Sequence, residues 1–336
     1  MKEYDACGKC SLIGLLFLLL LYCCPSGAFA ASPQILTFQH SNTAREYILY
    51  RPDHLPVNAP LVFMLHGLNM TDSLMMALSG MNRFADANRF AVVYPQALFY
   101  PEKAKVKWDA KDSSMDISFL SELAQFLQEQ YQLDPQKTFV CGYSNGAKMT
   151  YSLACEASDT FKAIAVFAGR MASNWPSTPD KCNPSQPVPV LHIHGTDDTD
   201  VLYSPPGGED GAESIVSFWA GLNSATTTDT SAIPPITTAF YYGNGIHGNE
   251  VWLYKMHGWT HEWPGKNSVS GIDAAEVMAD FFSLYMNATA DPTLDDVVSC
   301  LKALVGYADA GTDANLDGKI DMADPVLILQ KLSGLR

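Results

Sequence analysis

One five-residue run, Gly142-Tyr143-Ser144-Asn145-Gly146, constrains this chain more than any other feature. An apolar stretch, Thr138 to Cys141, precedes it, and Ala147 to Ala154 follows with the pattern of a helix. A serine flanked by such glycines lets a chain turn tightly from strand into helix and lifts the hydroxyl above the sheet edge. Larger residues at the glycine positions would collide with neighbouring backbone. The five residues alone are a weak signal. The strand before them and the helix after them make Ser144 a candidate nucleophile rather than a structural turn.

The rest of the chain repeats the same alternation. Leu61 to Leu65 and Phe90 to Pro95 are continuous apolar runs, as are Lys162 to Ala168 and Val188 to Ile193, and such runs suit strands buried on both faces of a parallel sheet. Arg45 to Tyr50 and Glu250 to Tyr254 read as further strands. Met75 to Asn88, Ile117 to Tyr131, Ser214 to Trp219 and Ala274 to Tyr285 carry helical spacing. Ser204 to Gly211 and the Thr- and Pro-rich Ala225 to Pro235 read as surface loops. Strands alternating with helices imply an α/β domain with a mostly parallel central sheet covered on both faces. A content of 47% hydrophobic and 17% charged residues supports a sizeable core. The formal net charge of −15 is spread along the chain and argues against nucleic acid as a partner, since phosphate binding needs clustered Lys and Arg.

A serine hydroxyl becomes a useful nucleophile only when a base takes its proton. In a fold of this kind the chain order is serine, acid, histidine. The Val188 to Ile193 strand runs into His194-Gly195-Thr196-Asp197-Asp198-Thr199-Asp200, so three aspartates compete for the acid position just past a strand end. His247, His257 and His261 are the candidate bases. His261 lies between the Glu250 to Tyr254 strand and the last helix, the slot expected of the base; His257 is its rival, and His247 reads as a surface residue. A negative oxygen in the acyl-transfer intermediate needs fixed N–H donors. The backbone of Asn145, directly after the serine, supplies one. The loop His66-Gly67-Leu68-Asn69 supplies the other, assigned to Leu68 with Asn69 as the alternative, and His66 reads as a brace for that loop.

These residues together resemble a family of extracellular polyhydroxybutyrate depolymerases and related feruloyl and acetylxylan esterases, with the α/β-hydrolase fold. The resemblance rests on Leu65-His66-Gly67, Gly142 to Met149, Leu153-Ala154-Cys155-Glu156, Pro187 to Asp198 and His261-Glu262-Trp263-Pro264-Gly265, and spans roughly Gln39 to Tyr285. It implies Asp198 as the acid and His261 as the base of a Ser-His-Asp set. A cysteine in the place of Cys155 is common in that family. Leu68 stands where the family usually has Gly or Cys, and Gly258-Trp259-Thr260 replaces its glycine-rich run. Trp108, Trp259 and Trp263 are candidates for lining the acyl pocket.

The ends of the chain read differently. Residues 1–30 hold Lys2 and Lys9, an apolar run from Leu12 to Cys24 and Ala28-Phe29-Ala30, which together read as a secretory signal cleaved before Ala31. Export implies an oxidising compartment, and a Cys155–Cys182 disulfide is expected from two cysteines that flank loops near the candidate site. Cys141 reads as a buried thiol. The expected domain therefore covers 31–286, with a polar linker over 287–293. In 294–336, Asp313, Asn315, Asp317, Lys319 (through its carbonyl), Asp321 and Asp324 fall at the spacing of a calcium loop, with Gly318 at its sharp turn. That loop resembles those of dockerin modules, which implies a small all-α, Ca2+-binding unit with a cohesin-type scaffold protein as partner. The Leu294 to Val305 segment reads as the helix of a first repeat with no calcium loop before it.

The sequence thus points to a secreted serine esterase acting on plant cell-wall esters, feruloyl or acetyl, with no cofactor for catalysis and no membrane partner once the signal is removed. A polyhydroxyalkanoate depolymerase is the near alternative. A non-catalytic binding protein on a hydrolase scaffold is the alternative from another class.

Overall fold

The computed structural model describes residues 31–111, 113–171, 182–207 and 211–286, with isolated positions at 298, 301, 325, 326, 328 and 329. The expected signal, linker and calcium loop lie outside the described residues.

In chain order the strands are β1 (Gln34–His40), β2 (Thr43–Tyr50), β3 (Leu61–Leu65), β4 (Ala91–Pro95), β5 (Phe99–Tyr100), β6 (Lys105–Val106), β7 (Thr138–Tyr143), β8 (Ala163–Phe167), β9 (Val190–Gly195), β10 (Thr227–Ile233), β11 (Thr237–Gly243) and β12 (Val251–Met256). The helices are α1 (Asp72–Ser79), α2 (Asn82–Asn88), α3 (Met115–Tyr131), α4 (Asn145–Glu156), α5 (Ala212–Leu222) and α6 (Ala274–Met286). Ten strands form one sheet in the order β1-β2-β4-β3-β7-β8-β9-β12-β11-β10. The run from β4 to β12 is parallel throughout. An antiparallel pair closes it at each side, β1 and β2 at one and β11 and β10 at the other.

The apolar runs do what their composition dictates. β3, β4 and β8 are buried along their whole length, because helices cover the sheet on both faces. One core cluster joins the sheet to Leu120 of α3, Leu153 of α4 and Trp219 of α5. The other joins it to Met75 of α1, Ala85 of α2 and Phe282 of α6. This is an α/β-hydrolase-like fold with a large, mostly parallel central sheet. The chain passes from β3 outward to β4, then reverses through α3 and crosses back past β3 to β7 on its other side. Crevices for ligands open beyond the strand ends at such a reversal, and there the chain places the loop after β3 and Ser144 after β7.

Three expectations need correction. The helix read over Met75 to Asn88 is two helices: Gly80, at φ 58°, ends α1 with its N–H on the Met76 carbonyl, and α2 starts afresh. Ala225 to Pro235 is not a loop, because it contains β10, paired along its length with β11. Its residues are nearly all exposed, so no face is buried and no apolar alternation marks it. The sheet also begins earlier than Arg45: β1 folds back on β2 through Ser41 and Asn42, whose φ values of 46° and 64° suit a two-residue hairpin turn.

The expected disulfide is present: Cys155, at the end of α4, is bonded to Cys182, with their Cα atoms 4.6 Å apart. Cys141 is the buried free thiol anticipated for it. The bridge closes a loop across a sequence separation of 27. Replacing both cysteines by serine should lower the unfolding free energy by about 3 kcal/mol. Urea unfolding of the double variant against the parent chain checks this, and equal midpoints would show the bridge to be idle.

Candidate active site

Ser144 takes an unusual backbone conformation, φ 55° and ψ −112°, where β7 gives way to α4. That region is costly for a residue with a side chain and is typical of strained functional turns. The surroundings hold it there: its N–H donates to the Phe167 carbonyl at 3.0 Å, and its carbonyl accepts from Lys148 at 3.0 Å. Gly146 lies so close to the carbonyls of Leu65 and His66 that a Cβ would overlap them. The first turn of α4 is thereby pressed against the end of β3.

His261 and Asp198 meet Ser144 from two other loops. His261 Nε2 lies 2.9 Å from Ser144 Oγ, and His261 Nδ1 lies 2.7 Å from Asp198 Oδ2. Of the three competing aspartates, Asp198 is the one aimed at the imidazole. Its side chain is wholly enclosed, while that of His261 keeps 17% exposure and so remains open to a reactant. Burial alone would push the Asp198 carboxyl up. Hydrogen bonds from His194, His261 and the Val201 N–H outweigh that effect and hold it well below the usual carboxylate range. His257 instead bonds Thr238 through Nε2 at 3.0 Å, and His247 is exposed.

Tyr143 fixes the histidine loop. Its hydroxyl donates to the His261 carbonyl at 2.8 Å, and its ring lies 5.3 Å from the imidazole. Gly195, at the end of β9, lets the same loop close in, because a Cβ there would strike the Trp259 and Thr260 carbonyls.

The loop after β3 is braced by the residue expected to brace it. His66 Nδ1–H donates to the Gly67 carbonyl at 2.8 Å. Its Nε2 accepts from the Ala97 N–H at 3.0 Å. Burial pulls its pKa down to about 4, so it stays neutral. The Asn69 N–H, the alternative donor of this loop, donates instead to the Val106 carbonyl at 2.8 Å.

Trp108 occupies a different place from the one its sequence position suggested. It is 1% exposed, and its Nε1–H donates to the His66 carbonyl at 3.0 Å. Its backbone N–H donates to Asn145 Oδ1 at 2.7 Å. Trp108 therefore ties the loop after β3 to the start of α4 rather than facing a pocket. A buried ion pair stands behind it: Arg45 Nη2 lies 2.7 Å from Asp116 Oδ1, with the side chains 1% and 2% exposed. Asp116 Oδ2 also accepts from the Asp109 N–H at 2.8 Å. Trp263 is likewise enclosed at 6% exposure, edge-on to Tyr143 and Phe167. Trp259 is half-buried and donates from Nε1 to the Glu262 carbonyl at 2.7 Å. The Tyr143 hydroxyl and the Asn145 side chain are contributions that the sequence did not reveal, although both flank Ser144.

A model of the family described as Esterase PHB depolymerase matches residues 45–178, the stretch that carries His66 to Leu68 and Ser144. With the fold and the convergence of Ser144, His261 and Asp198, the class is defined: the chain is a carboxylic ester hydrolase. More particularly, it is 26% identical over 166 residues to a bifunctional acetylxylan esterase/xylanase of Neocallimastix patriciarum, covering 49% of this chain and 23% of that one. It is 27% identical over 182 residues to feruloyl esterase D of Neurospora crassa, covering 52% and 60% respectively. Each match thus spans less than two thirds of the relative's length. Among solved structures, the acetyl xylan esterase from Aspergillus awamori superposes with a TM-score of 0.59 at 18% identity, over 75% of this chain and 99% of that one.

Removing Arg45 would leave the Asp116 carboxylate buried without its counter-ion. The Arg45→Leu substitution should destabilise the fold by about 3–5 kcal/mol. Denaturant unfolding measures the loss, and a change below about 1 kcal/mol would deny the pair its structural role.

Proposed function

We propose that this hydrolase is a secreted serine esterase that cleaves feruloyl or acetyl esters of plant cell-wall polysaccharide. The observation that carries the reading is the placement of His261 between Ser144 Oγ, at 2.9 Å, and Asp198 Oδ2, at 2.7 Å. The names of the relatives, an acetylxylan esterase and a feruloyl esterase, support the substrate class.

The chemistry is acyl transfer in two steps. Ser144 Oγ attacks the ester carbonyl carbon while His261 Nε2 accepts its proton. Asp198 keeps the Nδ1–H of His261 in place and stabilises the imidazolium. The backbone N–H groups of Leu68 and Asn145 receive the negative oxygen of the intermediate. The C–O bond to the alcohol then breaks, and the alcohol leaves with the proton from His261. Water repeats the sequence on the acyl-enzyme, releasing the acid and restoring Ser144. No cofactor enters these steps.

The description of the matching family favours a second reading, a polyhydroxyalkanoate depolymerase with the same chemistry. For export, the Cys155–Cys182 bridge is the supporting feature, since structural disulfides persist in oxidising compartments. Among the described residues no helix is long and apolar enough to cross a membrane. For the tail, the ligand spacing from Asp313 to Asp324 supports a Ca2+-binding unit that docks a cohesin-type partner.

Ser144→Ala should lower the hydrolysis of p-nitrophenyl acetate by about 10⁴-fold or more. Unchanged rates would end the catalytic reading and favour a non-catalytic binding protein. Comparing acetylxylan, methyl ferulate and hydroxybutyrate oligomers as substrates separates the polysaccharide reading from the polyester one.

A further inference from the structure

Behind Asp198, on the side away from His261, lies a second line of hydrogen bonds. His194 Nε2 is 3.2 Å from Asp198 Oδ2 and 2.8 Å from the Val201 carbonyl oxygen. His194 Nδ1 is 2.9 Å from His192 Nε2. His192 Nδ1 is 2.6 Å from the Tyr151 hydroxyl. Tyr151 and His192 are 0% exposed and His194 is 1% exposed.

The partners are compatible with one continuous run of donors and acceptors in this line. A carbonyl oxygen only accepts, so His194 Nε2 carries a hydrogen. Its Nδ1 then accepts from His192 Nε2–H, which makes His192 Nδ1 an acceptor in turn. The Tyr151 hydroxyl completes the line as the donor. Burial keeps His192 neutral by lowering its pKa, with His194 adding to the effect, and burial raises that of Tyr151 so that it keeps its proton. In this arrangement His194 turns its Nε2–H toward Asp198.

The geometry forms a closed circuit. Tyr151 stands on α4, the helix that begins directly after Ser144. His192 and His194 stand two residues apart on β9 and so point to the same face. The path runs from Ser144 along α4 to Tyr151, through His192 and His194 to Asp198, and back through His261 to Ser144. Asp198 meets donors on both oxygens: Oδ1 accepts from the N–H groups of Asp200 at 2.9 Å and Val201 at 2.8 Å, and Oδ2 from the two imidazoles.

We infer that His194 is a positioning residue for the reaction, a donor that holds Asp198 in line with His261 and is itself oriented by His192 and Tyr151. This rests on the serine esterase reading. Loss of the donor frees one side of the carboxylate, and small misplacements of a catalytic group cost up to about 10²-fold in rate.

Ser144→Ala, His194→Leu, His194→Gln and Tyr151→Phe are compared with the parent chain by kcat and KM on p-nitrophenyl acetate, by melting temperature, and by the low-field proton NMR signal of His261 Nδ1–H. His194→Leu should lower kcat about 10- to 100-fold with little change in KM. His194→Gln places an amide N–H near the position of Nε2–H and should recover most of that loss. Tyr151→Phe should cost about 3- to 10-fold in kcat, the worth of one hydrogen bond, and shift the low-field signal. A folded His194→Leu with parental kcat overturns the inference. So does a His194→Gln no better than leucine, with both losses following the melting temperature. If His194→Leu does not fold, Tyr151→Phe decides: parental kcat with an unmoved proton signal overturns the inference. An active Ser144→Ala would instead overturn the esterase reading itself.

Discussion

The contact between Gly146 and the carbonyls of Leu65 and His66 governs the geometry of this molecule. Through it, α4 starts directly against the end of β3, and two loops that are distant in sequence meet at one point. The positive φ of Ser144 follows from the same crowding, since the chain must turn from β7 into a helix with no room to spare. The parallel sheet has a reciprocal role: its buried central strands supply a rigid edge from which the serine, the acid and the histidine can each be projected. Displacing the first turn of α4 would misalign all three together.

A second layer of support runs sideways through the molecule. The Arg45–Asp116 pair joins β2 to α3, and Asp116 then holds the backbone at Asp109. Trp108, one residue before, bonds both the His66 carbonyl and the Asn145 side chain. A buried ion pair contributes modestly to net stability, but losing one partner is costly because the other charge stays stranded. Here the stranded charge would be the one that holds the Asp109 N–H, next to Trp108. Placement of the loop after β3 is thus coupled to β2, a strand that contributes none of the three converging side chains.

Much of this was legible in the sequence, and for a physical reason. Parallel strands buried on both faces must be apolar throughout, so β3, β4 and β8 announce themselves. The strand–Gly-x-Ser-x-Gly–helix context marks Ser144 because few other arrangements tolerate two glycines there. Asp198 and His261 were harder: order along the chain left three aspartates that only resemblance separated, while the slot before the last helix favoured His261 over His257 and His247. β10 was missed because an exposed edge strand of Thr, Asp and Ser has no face to pattern. Trp108 was misplaced because tryptophan serves pockets and cores equally well, and its identity does not say which. The roles of Tyr143, Asn145 and His194 depend on contacts 37 to 118 residues away for the first two and on a bond to a tyrosine-linked histidine for the third. No local spacing encodes such contacts.

The disulfide at the far end of α4 has an electrostatic consequence. A helix carries about half a positive charge at its first turn, directed along its axis. In α4 that turn is Asn145 to Lys148, and the axis is clamped at both ends, by glycine packing at the front and by Cys155–Cys182 at the back. The helix can neither tilt nor slide without breaking one of the two. Its field is therefore an aimed one, set when the chain folds, and it points at the place beside Ser144 where negative charge would gather.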